Sequence, residues 1–157
     1  MRLFHGSFLE ISHPDLCHSR KYLDFGSGFY VTPFFDQAKN WAERFKRKGK
    51  EGIVSCYNFS EEEAFRTLQI LKFDKYSEKW IDYILSCRQG YDQFSFDILM
   101  GGVVNDKVFN ITELYFDGLI GKTEAIKRLR YTKPNMQYCF RTEAAIRLLS
   151  FEWSERI

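Results

Sequence analysis

Phe4-His5-Gly6-Ser7 and, after a polar stretch, Asp24-Phe25-Gly26-Ser27-Gly28-Phe29-Tyr30 are the two blocks that decide how this 157-residue chain is read. An imidazole followed at once by glycine sets a ring that can bond a hydroxyl beside backbone with no Cβ, so a planar amide can lie against it. In the second block Gly26 and Gly28 permit a tight, left-handed approach into a strand. The aromatic at the start of that strand offers a face on which a heteroaromatic ring can stack.

Working outward, residues 2–6 read as a first strand, 12–24 as a loop or short helix, and 29–32 as a second strand. Thr32-Pro33 reads as a helix start, because Phe34, Ala38, Trp41, Ala42 and Phe45 follow at three- and four-residue steps. That helix runs out in Lys46-Arg47-Lys48-Gly49-Lys50, and a buried strand is expected over 53–57. Ser60 to Glu63 has capping-box spacing, with a strand expected near 68–73, and Ser77 caps a helix whose apolar face is Trp80, Ile81, Ile84 and Leu85. A strand over 96–100, helices over 106–116 and 123–129, a strand over 137–141, a helix over 142–149 and an apolar piece at 151–153 complete the pattern. The fold class is mixed α+β.

Residues 1–157 read as a single domain, long enough to bury a core and too short for two enzymatic lobes. With 45% hydrophobic residues, 16 Phe and 9 Tyr, there are aromatics enough for a core and for a stacking pocket besides. A net charge of +2 argues against a chain that binds nucleic acid by overall charge, while leaving room for a local basic face. Cys17, Cys56, Cys87 and Cys139 are widely spaced with no CxxC, so reduced, buried thiols are expected. The start Met1-Arg2-Leu3-Phe4-His5 has no apolar signal region, and no run approaches the roughly 18 apolar residues of a membrane span. The expected location is cytoplasmic.

Phe4 through Ser7, Asp24 through Tyr30, Gln37-Ala38 with Trp41-Ala42, and Gln137-Tyr138-Cys139-Phe140 occur in this order over nearly the whole chain. The ordered set resembles the ADP-ribosyltransferases on the poly(ADP-ribose) polymerase and diphtheria toxin side, and more closely a small, poorly characterised bacterial family. The resemblance implies an ADP-ribosyltransferase-like split β-sheet core with flanking helices, and NAD as substrate. It implies that His5 bonds the ribose hydroxyls of NAD, that the Gly6 backbone takes the nicotinamide carboxamide with Ser7 adding a hydrogen bond, and that Tyr30 stacks on the nicotinamide ring. Gly28 belongs to the turn that delivers Tyr30 beside His5, and Trp41 falls where the polymerases place a second stacking aromatic. The third catalytic position, normally a glutamate at the start of a late strand, is Gln137 here.

Transfer of ADP-ribose needs nicotinamide to leave C1′ of the adjoining ribose through an oxocarbenium-like centre, as in glycoside cleavage. A glutamine can orient a 2′-hydroxyl but carries no charge and accepts no proton. If general-base help supplies about 10²- to 10⁴-fold, its loss costs on the order of 3 to 5 kcal/mol of barrier, which favours mono- over poly-transfer. Glu143, the nearest acid in sequence, fits the first turn of a helix, where it meets the dipole favourably. Each motif residue also has a plain structural account: His5 as a strand-end histidine satisfied by backbone, Tyr30 and Trp41 as core aromatics, Gly26 and Gly28 as a tight turn. The clusters Arg44, Lys46, Arg47, Lys48, Lys50 and Lys127, Arg128, Arg130, Lys133 fit helix C-termini, or phosphate contacts to NAD or an RNA acceptor. His13, Cys17 and His18 match no zinc spacing, and no metal is expected.

The expected function is a mono-ADP-ribosyltransferase acting on a macromolecular acceptor, protein or nucleic acid, as a bacterial toxin or defence effector with a neutralising antitoxin partner. The alternatives are a catalytically silent NAD or ADP-ribose binding module and an NAD glycohydrolase.

Overall fold

Strand β1 (Arg2–Ser7) opens a computed structural model that describes residues 1–19, 21–91, 95–130 and 135–157. In chain order follow β2 (Phe29–Val31), α1 (Phe35–Lys46), β3 (Ile53–Phe59), α2 (Glu61–Thr67), β4 (Ile70–Lys72), α3 (Glu78–Arg88), β5 (Ile98–Gly102), α4 (Asp106–Phe116), α5 (Lys122–Leu129), β6 (Met136–Phe140), α6 (Glu143–Ile146) and β7 (Leu149–Arg156). The architecture is mixed α+β, with one sheet ordered β1-β3-β7 and a second ordered β2-β6-β5-β4. Pairing is antiparallel except between β4 and β5.

The two-residue period of the strands sorts their side chains into layers. Leu3, Phe29, Val31, Tyr57, Phe59, Met100 and Phe140 turn to one side and form a shared core between the sheets. On the other side α1 lays Ala38 and Ala42 against Val54 and Phe4. Helices α3, α4 and α5 cover the four-stranded sheet with Trp80, Ile81, Ile84, Val108 and Leu129 packed around Leu99 and Cys139. Each such large side chain, taken fully out of water, contributes about 1.5–3 kcal/mol. The Trp80 indole N–H, fully buried, donates to the Gly102 carbonyl at 3.2 Å.

Where local chemistry decides, the expected elements are present. Ser60 and Ser77 cap α2 and α3 by accepting from the Glu63 and Trp80 amides. Two elements differ. The α1 helix begins at Phe35 with Phe34 as an uncapped N-cap, because Thr32 is drawn into pairing with Phe4 and its hydroxyl accepts the Phe34 amide. The helix expected over 142–149 is only the four residues of α6, and Leu149 instead opens an eight-residue strand. The outer edge of β3 needs a partner, and Leu149 and Phe151 alternate onto the shared core. Tyr57 pairs with Phe151 and Cys56 with Trp153, so Glu152 is the extra residue of a bulge. The bulge moves Trp153 to the opposite face, against Phe4 and Phe35, and leaves the Glu152 carboxylate on Arg2 at 2.7 Å. The four cysteines form no disulfide with one another; Cys56, Cys87 and Cys139 are buried, but Cys17 is exposed.

Candidate functional site

The two sheets touch at one bridge and part beyond it. Phe4 and Thr32 exchange both backbone hydrogen bonds, at 2.8 and 2.9 Å. The even residues of β1 therefore direct their N–H and C=O groups away from β3, towards β2. Continued by one more pair, the ladder would join Gly6 to Tyr30. It does not continue, because the Nδ1 of His5 takes the Tyr30 carbonyl at 2.7 Å. The imidazole thus stands as a wedge between the strands, stacked at 4.6 Å on the Phe29 ring. The Gly6 N–H and C=O and the Tyr30 N–H face the gap, and no described residue outside the strand ladders bonds them.

A carbonyl can only accept, so Nδ1 carries the hydrogen, and in the neutral ring Nε2 is an acceptor. Burial lowers the His5 pKa and keeps the ring neutral, against the opposing pull of the Tyr30 carbonyl. Nε2 makes no hydrogen bond to the described residues.

The glycine-rich block is a closed loop leading into β2. Phe25 is fully buried and stacks on Phe73, Gly26 takes a left-handed φ of 74°, and the Tyr30 hydroxyl returns to both. It donates to the Gly26 carbonyl at 2.6 Å and accepts the Phe25 amide at 3.1 Å. Burial first, then Cys139 and Asp24, push the Tyr30 phenol well above its ordinary pKa, so it stays a donor. Gly28 lies so close to β6 that a Cβ would sit 2.7 Å from the Phe140 carbonyl oxygen. Asp24 anchors the loop from outside, accepting from Arg88 Nη2 at 2.8 Å and the Val104 amide at 3.3 Å, while Arg88 also reaches Glu113 at 3.0 Å.

His5, Gly6 and Tyr30 are thus brought together at the parted edge. The contact is between the imidazole and the Tyr30 backbone; the ring beside His5 is that of Phe29. Gly6 has a structural task too, since a Cβ there would meet the Ala38 carbonyl oxygen at 2.2 Å. Ser7 is buried at the end of β1, its hydroxyl accepting the Leu9 amide at 3.4 Å.

Gln137 lies on β6 on the same face as Cys139, the cross-strand partner of Tyr30. It is 8% exposed, and its Nε2 has no hydrogen-bond partner. Gln37 of α1 reaches over to the neighbouring residue, donating to the Met136 carbonyl at 3.2 Å, and its buried Oε1 is likewise unpartnered. Glu143 is exposed in the first turn of α6. Trp41 is not in the core: it is 47% exposed on α1, with the Arg44 guanidinium 4.6 Å above its ring.

Arg44 and Lys46 end α1, Lys127 and Arg128 end α5, and Lys133 lies outside the described residues. The His18 Nδ1 pairs with Asp15 and the His13 Nδ1 with Ser12, and among the described residues no group of three metal-ligating side chains converges. No helix among them is long and apolar enough to cross a membrane.

Sequence reasoning missed Phe29 as the ring under His5, Gln37 as the link from α1 to β6, and the Asp24–Arg88 anchor. Phe29 and Gln37 stood inside the quoted motifs; nothing local marked Arg88.

Fold and site together define a mixed α+β protein in which two sheets part around the His5 imidazole and its hydrogen bond to the Tyr30 carbonyl. The chain belongs to the DUF3990 family, described as a protein family of unknown function, whose model matches residues 1–151. No curated protein and no solved structure matches it.

Proposed function

We propose that this protein is a mono-ADP-ribosyltransferase that cleaves NAD at the nicotinamide–ribose bond in the gap between β1 and β2, with a split sheet of the ADP-ribosyltransferase kind. The observation that carries the proposal is the Gly6 N–H and C=O, left without a partner among the described residues on a parted strand edge beside His5. A carboxamide carries one acceptor and two donors, and such a backbone pair is its complement. The His5 Nε2 accepts a ribose hydroxyl without adding positive charge next to a forming oxocarbenium centre. The Gln137 Nε2, buried and unsatisfied, is a further donor for a ribose oxygen.

Because Gln137 is neutral, departure of nicotinamide relies on binding and orientation rather than on a base, which suits a single transfer to a reactive acceptor. By the sequence resemblance the molecule acts inside bacteria as a toxin or defence effector restrained by a neutralising partner. The second reading, a silent NAD or ADP-ribose binding module, is favoured by one observation: no carboxylate among the described residues hydrogen-bonds His5, Tyr30 or Gln137.

Purified protein incubated with adenylate-labelled NAD and a bacterial lysate separates the possibilities. Nicotinamide release together with macromolecular label, both lost in His5→Ala, is the expected result. Free ADP-ribose without macromolecular label would indicate a glycohydrolase. Absence of nicotinamide release from both the wild type and Gln137→Glu would overturn catalysis.

A further inference from the structure

Gln37, Trp41 and Arg44 fall at i, i+4 and i+7 on α1, one stripe beside the buried row of Ala38 and Ala42. Gln37 shows which way that stripe turns, since its amide reaches Met136 on the far side of the parted edge. Trp41 stands one turn further on, next to Ala42, whose backbone N lies against Gly6. The stripe is therefore a lip of the gap.

A tryptophan 47% exposed is unusual, and this one is sandwiched only on one face, by Arg44. Directly beyond it the chain carries Arg44, Lys46, Arg47, Lys48 and Lys50 with no acidic residue between them. All five are exposed, and none is paired with a carboxylate of the described residues. A helix dipole accounts for a cation or two in the last turn, not for five. Together they exceed the net charge of +2, so the rest of the molecule is net acidic and positive charge is concentrated here. Lys50 also lies 4.1 Å over the ring of Phe8, the residue that follows β1.

We propose that this lip, Trp41 with Arg44, Arg47 and Lys48, binds single-stranded nucleic acid, which makes a nucleic-acid strand the acceptor class of the neighbouring gap. The acceptor role rests on the NAD-cleaving function proposed above; the binding does not. Unpaired bases expose faces that stack on an aromatic ring, and the backbone phosphates match a row of unpaired cations. A duplex hides its base faces, and the carboxylates by which an acidic protein would meet these cations carry no ring to stack on Trp41. In the transfer a hydroxyl or amine of the strand bonds C1′ and gives its proton to water, while nicotinamide leaves with the electron pair of the broken C1′–N bond.

Fluorescence anisotropy with labelled oligouridylate and single-stranded DNA of about 20 nucleotides, an RNA duplex and polyglutamate as probes tests the binding without NAD. The single strands are expected to bind, and Trp41→Ala to weaken them about tenfold by loss of one stacked base. Replacing Arg47 and Lys48 by Gln should reduce the log–log salt slope by about 1.4, at roughly 0.7 per phosphate contact. Equal binding of the duplex, equal binding of polyglutamate, or an unchanged affinity in Trp41→Ala would each overturn the proposal. Nicotinamide release measured on the same preparation keeps the two ideas apart. Release without strand binding sinks this inference alone, and strand binding without release sinks the NAD chemistry and with it the acceptor role, but not the binding.

Discussion

Replacing Gly6 by alanine tests the packing that builds the gap. The added methyl would lie 2.2 Å from the Ala38 carbonyl oxygen and 3.0 Å from the Ala42 nitrogen, where ordinary contact begins at 3.4 Å. Both atoms belong to helix backbone and cannot rotate aside, so α1 must retreat by about 1 Å from β1. Overpacking of this kind typically costs about 1–3 kcal/mol, and the upper end applies because no flexible side chain absorbs the strain. For a domain of this length that is a fall in Tm of roughly 6–12 °C. Gly6 does not have a positive φ, so without the helix the same substitution would stabilise by about 0.4–1 kcal/mol through the unfolded chain. The sign of the change is therefore decisive. Thermal melts followed by circular dichroism measure it, alongside the double variant with Ala38→Gly. That second change removes a side chain but not the offending carbonyl and should restore nothing. A Gly6→Ala protein as stable as the wild type, or rescue by Ala38→Gly, would refute the reasoning.

Two further predictions concern the loop and the wedge. Tyr30→Phe removes the hydroxyl that closes the Phe25–Gly26 turn and leaves an amide and a carbonyl unpartnered, so urea denaturation should report a loss of about 1–3 kcal/mol; a change within a few tenths would mean the turn is held by Phe25 and Asp24 alone. His5 is neutral when folded, with its pKa lowered by burial, while an unfolded chain takes up a proton near pH 6.5. Below pH 6.5 the unfolded state thus binds more protons, so stability should fall as the solution is acidified and level off above that value; urea midpoints from pH 5 to 8 should show a shallower fall in His5→Gln, and identical profiles would exclude His5 as the source.

The sequence is informative where a residue's partner is close by. Ser60 and Ser77 cap helices whose amides lie three residues on, and the stripe of Trp80, Ile81 and Ile84 declares its own face. Thr32 carries the same capping signal, yet Phe4, remote in the chain, claims its backbone and moves the helix start to Phe35. Residues 142–149 carry a helical pattern, but the helix stops at Ile146 and the free edge of β3 takes the chain into a strand from Leu149. The motifs contain residues that the fold places side by side, His5, Gly6 and Tyr30, but a motif does not aim side chains. His5 engages a carbonyl, Tyr30 closes its own turn, and Gly6 makes room for the backbone of a helix that lies more than thirty residues away in sequence.

The bridge between Phe4 and Thr32 has a consequence for when the molecule becomes competent. The two rims of the gap belong to early strands, but the pairing that holds Tyr30 in place is with Cys139, 109 residues later, and β3 waits 90 to 103 residues for β7. Contacts so distant in the chain close slowly and only after loop entropy has been overcome, so assembly is dominated by late events. A nascent chain can display His5, Gly6 and the whole basic lip on the ribosome while Gln137 is still unmade. The order of synthesis therefore works as a delay: whatever chemistry the gap performs begins only after β6 has arrived.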